Sequence, residues 1–82
     1  MLSKKLQSEL LVGSLDLVTS MAYVSAIREV ADAEQSEDFA FDRKSYETLA
    51  DAIDIMSKGV DGVFAEAYCA VANDVRSYAQ SL

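Results

Sequence analysis

The sequence predicts an all-α fold: a long antiparallel helical hairpin that pairs with a second copy into a dimeric four-helix bundle. Three observations predict it. No proline and only three glycines interrupt 82 residues, a composition that favours long helices over tightly turned sheets. Apolar residues recur every three or four positions through most of the chain, the period of one helix face. A single polar connector, residues 36–42, divides the periodic stretches. The expectation is one helical domain over 1–82, with a first helix over about 3–35 and a second over about 43–80.

The first helix begins at Ser3, a residue type that caps helix N-termini. Leu6, Leu10, Gly13, Leu17, Val24 and Ala31 fall on one face, with Met21 beside it. This row is expected to pack inside the hairpin. A second row, Leu11, Leu15, Val18, Ala22 and Ala26, lies roughly 100° around the same helix. A two-helix hairpin buries one face of each helix, so the second row needs another chain. Leu11, Leu15, Val18 and Ala22 are therefore the predicted dimer or partner interface. Glu9, Asp16, Ser20 and Glu34 form the most polar strip.

The connector carries Phe39 and Phe41 in an acidic setting. Asp42 is the expected N-cap of the second helix. Phe41 before it and Tyr46 four residues after it have the spacing of a hydrophobic staple.

The second helix has an apolar stripe through Leu49, Ile53, Met56, Val60, Val63, Ala67, Val71, Val75, Tyr78 and Leu82. Glu47, Asp51, Asp54 and Asp61 line its opposite face and are the candidate acidic partner-binding surface. The stretch KGVDG permits two readings. Gly59 could end one helix and Asp61 cap another. The stripe keeps phase across it, which favours one continuous helix, kinked at most.

Fourteen acidic residues against seven basic ones give a net charge of −7. Direct nucleic-acid binding is not expected, since it depends on clustered Lys and Arg. A protein with a basic or apolar surface is allowed. The segment LLVGSLDLVTSMAYVSAI, residues 10–27, is broken by Asp16 and by hydroxyl residues. It is too short and too polar for a membrane span of roughly 20 apolar residues. It also lacks the uninterrupted apolar core of a signal peptide. The expected location is the cytoplasm, and the lone Cys69 suits a reducing compartment.

Chemistry finds little support. There is no histidine, so Cys69 has no imidazole to activate it and Cys/His zinc sites within one chain are excluded. Gly59 and Gly62 lack the Lys-Ser/Thr of a phosphate loop. DAIDIMSKGVDG lacks the ligand order of an EF-hand. Tyr23, Tyr46, Tyr68 and Tyr78 are expected at the edges of the core. Two carboxylate pairs, Glu34 with Glu37 and Asp51 with Asp54, have a spacing of three. Over about twenty residues this loosely resembles the magnesium-binding motifs of MazG-type pyrophosphohydrolases, and the resemblance implies metal-dependent nucleotide hydrolysis. The chain departs from that pattern. Its second pair is Asp where the family has Glu, Glu37 falls in the connector, and the family's catalytic lysines have no counterpart. The residues themselves read as a solvated helix face, with Asp54 and Lys58 as an i,i+4 pair. No catalytic residue, metal ligand or cofactor is expected. The function expected is that of a small acidic interaction module, a regulator, adaptor or inhibitor acting by contact. A structural subunit or co-chaperone of a larger assembly is the alternative.

Overall fold

A computed structural model describes the backbone of residues 1–12 and 16–82, and the side chains of 1–10 and 16–82. The described residues form four helices: α1 (Leu2–Val12), α2 (Leu17–Glu34), α3 (Arg43–Ser57) and α4 (Gly62–Gln80). The all-α expectation holds. The two long helices do not, because each is divided. A continuous helix over 3–35 would be about 50 Å long at 1.5 Å per residue, whereas the molecule measures 34 × 27 × 22 Å.

The first division lies before α2. Asp16 has extended backbone (φ −69°, ψ 167°), and its Oδ1 accepts the Thr19 N–H at 2.7 Å. That is N-cap geometry, which satisfies one of the donors left free at a helix start. An aspartate read as part of a polar strip is thus the residue that starts a new helix.

The second division is at KGVDG. Lys58 and Gly59 donate to Ile55 O and Met56 O, so α3 closes with a tightened turn. Asp61 is extended, and Gly62 has φ +61°, a conformation costly for any residue with a Cβ. Unbroken phase did not guarantee an unbroken helix here. The buried residues of α3 are Tyr46, Ala50, Ile53 and Ser57. Ile53 belongs to the predicted stripe, whereas Tyr46, Ala50 and Ser57 run beside it, and Met56 is exposed.

Asp42 caps α3 as expected, its Oδ1 accepting from the Ser45 N–H at 2.8 Å. Phe41 and Tyr46 pack with ring centroids 6.5 Å apart, and Phe39 touches both rings edge-on. Tyr78 of α4 extends this aromatic group, 5.0 Å from Tyr46. Phe41 adopts φ 57°, unusual for a residue with a side chain.

α4 is the central helix, packed against both α3 and α2, while α1 lies against α2. The core joins Leu2 and Leu6 of α1, Ile27 and Val30 of α2, Ile53 of α3, and Val71 and Val75 of α4. Ala22, Ala26, Ala50, Ala67, Ala72 and Ala79 are fully buried. Such small side chains let helix axes approach closely, with ridges of one helix set into grooves of the next.

After Asp16 the first helix's two rows exchange places in part, with Val18 of the outer row still at the surface. Leu6 is buried and Leu10 half-buried, as expected of the inner row, but Leu17, Met21 and Val24 of the same row lie at the surface. Ala22 and Ala26, placed on the outer row, are fully buried. The restart of the helix at Asp16 changes which face meets the core.

Candidate interaction surface

The outer face of α2 carries the largest departure from an ordinary helix surface. Leu17 is 75% exposed, Val18 56%, Met21 55% and Val24 46%. A groove of about 380 Å³ runs along them, bounded by Leu17, Met21, Val24, Arg28 and Phe64 of α4. A second groove of about 440 Å³ continues from Val24 and Arg28 past Ala31 toward Gln35, with Leu10 of α1 on its edge. Val24 and Arg28 line both, so the two form one strip along the helix.

The predicted interface maps only partly onto this strip. Val18 flanks it. Ala22 points the other way, into the core, and offers nothing to a partner. Leu15 lies outside the described residues, as does the side chain of Leu11. The sequence pattern places Leu17, Met21 and Val24 in the interior, whereas the structure exposes them. Their 3–4 spacing was legible, but which side of α2 it occupies depends on the break at Asp16.

The acidic surface is largely engaged within the chain. Arg76 of α4 donates to Asp51 Oδ1 at 3.0 Å and to Asp54 Oδ2 at 3.4 Å, tying α4 to α3. The bond to Asp51 raises the Arg76 pKa, an effect that partial desolvation opposes and Asp54 reinforces. Glu47 pairs with Arg43 one turn away, at 3.8 Å. Asp61 occupies the N-cap position of α4 without a side-chain capping bond. Such exposed pairs each contribute at most about 1 kcal/mol.

Two further carboxylates have settings that depend on tertiary packing, and one of them, Glu34, is buried although the sequence pattern places it on the most polar strip. Glu34, at the end of α2, is only 3% exposed. Its carboxylate accepts the Leu2 N–H at 3.0 Å and the Ser3 N–H at 3.1 Å, and the Tyr46 hydroxyl as well. It therefore caps α1 from more than thirty residues away. Burial pushes its pKa up, but the bonds from Tyr46, Ser3 and Leu2 outweigh that and hold it below the usual carboxylate value. Burial first, then the bond to Glu34 and its charge, push the Tyr46 phenol far above its ordinary value. No local pattern marks Glu34, because its partners are brought to it by tertiary packing. Asp74 of α4 is the opposite case. Burial and the nearby charge of Glu9 on α1 raise its pKa, with no bond to offset them.

The MazG-like carboxylate pairs have separate occupations. Glu34 is taken up by α1 and Tyr46, Glu37 is exposed in the connector, and Asp51 and Asp54 hold Arg76. Among the described residues, no group of three or more His, Cys, Asp or Glu is placed to hold a metal ion. Cys69 is exposed, 3.5 Å from the Ser57 hydroxyl, which itself bonds to Asp54 O. Among the described residues, no helix is long and apolar enough to cross a membrane. Comparison with protein-family models, curated proteins and solved structures gave no match.

Proposed function

We propose that the protein works by contact, as a small acidic helical module that binds another protein chain through the outer face of α2. It would act as a regulator, adaptor or inhibitor. The observation that carries this reading is the exposure of Leu17, Met21 and Val24 beside Val18, on a helix whose buried residues are mostly small. Leaving four neighbouring large apolar side chains in water forgoes their burial free energy, about 25 cal/mol per Å². Contiguous patches of this kind mark interaction sites. The net charge of −7 favours encounter with a partner whose rim is basic.

The test compares wild-type protein with a Leu17→Glu, Met21→Glu double variant as bait in extracts of the cells that make it. Helicity of the variant is checked by circular dichroism. The reading expects wild type to retain a protein that the folded variant loses. Retention of the same proteins by both baits would refute it. So would magnesium-dependent turnover of nucleotides by the purified chain, since a contact module needs none.

A further inference from the structure

We propose that the outer face of α2 takes a second copy of this chain, antiparallel, with Arg28 of each copy reaching Asp16 of the other. The inference rests on the contact reading above and goes further by naming the occupant.

Leu17, Met21, Val24, Arg28, Ala31 and Gln35 follow one another at spacings of four, three, four, three and four. This is the seam pattern of paired helices. From Leu17 to Ala31 the row is apolar except for one cation, Arg28. Arg28 is exposed, and among the described residues it makes no ion pair. That charge, with Asp32 beside it on the groove, favours an antiparallel orientation. In a parallel pair in register, Arg28 would meet Arg28 of the second copy, and like charges would face each other across the seam.

In an antiparallel pair with Met21 opposite Val24 of the second copy, Leu17 falls opposite Arg28 of that copy. The arginine stem then covers Leu17 while its guanidinium reaches out to water. Next to Leu17 is Asp16, exposed at the start of α2. The acid and the base thus come together at both ends of the seam, related by a two-fold axis. Phe64 of α4, already bordering the groove, adds apolar surface on the flank.

The contact is small. In this register only residues 17–28 of the two α2 helices face one another, about 18 Å at 1.5 Å per residue. One helix pair falls at the low end of interface size, so the dimer is expected to be weak, with Kd on the order of 10–500 μM.

Analytical ultracentrifugation of the full chain at about 10 μM to 1 mM tests this, since that range brackets the expected Kd. Wild type should rise from the monomer mass of 8.9 kDa toward twice that value. Arg28→Asp places acid opposite Asp16, and Asp16→Arg places base opposite Arg28. Each variant alone should stay monomeric, and an equimolar mixture should recover the dimer, because both contacts are then complementary. Should Asp16→Arg fail to fold for want of its cap, a cysteine test replaces it. In a Cys69→Ser background, Val18→Cys and Ser25→Cys lie on the same flank of the seam and meet between antiparallel copies. Their mixture should form a disulfide dimer, and Val18→Cys alone should not. Three results would overturn the proposal: wild type monomeric throughout the range, a dimer indifferent to Arg28→Asp, or folded charge variants that do not complement each other. In the first case the contact reading still stands or falls separately, on whether the folded Leu17→Glu, Met21→Glu bait loses its partner.

Discussion

The two faces of α2 contrast in the opposite sense to the usual one. The inner face is built mainly from small residues, Ala22, Ala26 and Val30 with Ile27, and ends in a charged one, Glu34. The outer face displays Leu17, Val18, Met21 and Val24. A core of alanines gains little from each side chain but lets helices approach closely, and dispersion contacts accumulate with proximity. Burial along α2 is thus set by where the helix restarts, and side-chain size is a poor guide to it there. Large residues left outside are free for association.

Substitutions on the inner face should cost most. Glu34→Ala leaves the Leu2 and Ser3 N–H groups and the Tyr46 hydroxyl without an acceptor and is expected to destabilise by about 3 kcal/mol, read by urea unfolding. Wild type should show the same contact in its pH dependence. The folded pKa of Glu34 lies below its ordinary value of 4.5. Its contribution is therefore complete above that value and is lost as pH falls through the lower folded value. The acid limb of the stability curve should flatten in Glu34→Ala. An unchanged acid limb would mean that Glu34 is not the cap.

Ala26→Leu is the next largest. It forces a bulky side chain into a fully buried position and should cost about 1–3 kcal/mol through overpacking. A smaller loss, of about 1 kcal/mol, is expected for Asp42→Ala, which removes the local cap of α3. Hydrogen exchange of the Ser45 amide should report it directly. Asp74→Asn should work in the other direction. The raised folded pKa of Asp74 means that its ionised form is disfavoured above that pKa, and acidification relieves the penalty. The variant should melt slightly higher than wild type at pH 7 and no higher at pH 3.

The legible parts of the fold were those carried by local pattern. The all-helical class followed from the periodicity and the lack of proline. Asp42 and the Phe41–Tyr46 contact were readable because cap and staple are set by residues a few positions apart. Asp16 has the same chemistry but sits within an apolar stretch whose phase hides it. At KGVDG, the stripe through Val60 and Val63 resumed in phase after the turn, so phase argued for a helix that is divided. Glu34 was beyond reach, since its donors come from the other end of α1–α2 and from α3. The surface strip was visible as a row of Leu17, Met21 and Val24. Its side could be assigned only once α2 was known to begin at Asp16. Ala22 went to the wrong face for the same reason.

The central claim is that Leu17, Met21 and Val24 serve contact between chains and are not core. Urea unfolding of a Leu17→Ser, Met21→Ser, Val24→Ser variant, run beside wild type at about 5 μM and 500 μM to bracket the association range, tests it most directly. At the lower concentration the two midpoints should correspond to stabilities within about 1 kcal/mol, as for surface substitutions. At the higher concentration wild type alone should gain stability. A loss of several kcal/mol at 5 μM would place these side chains in the core and contradict the account.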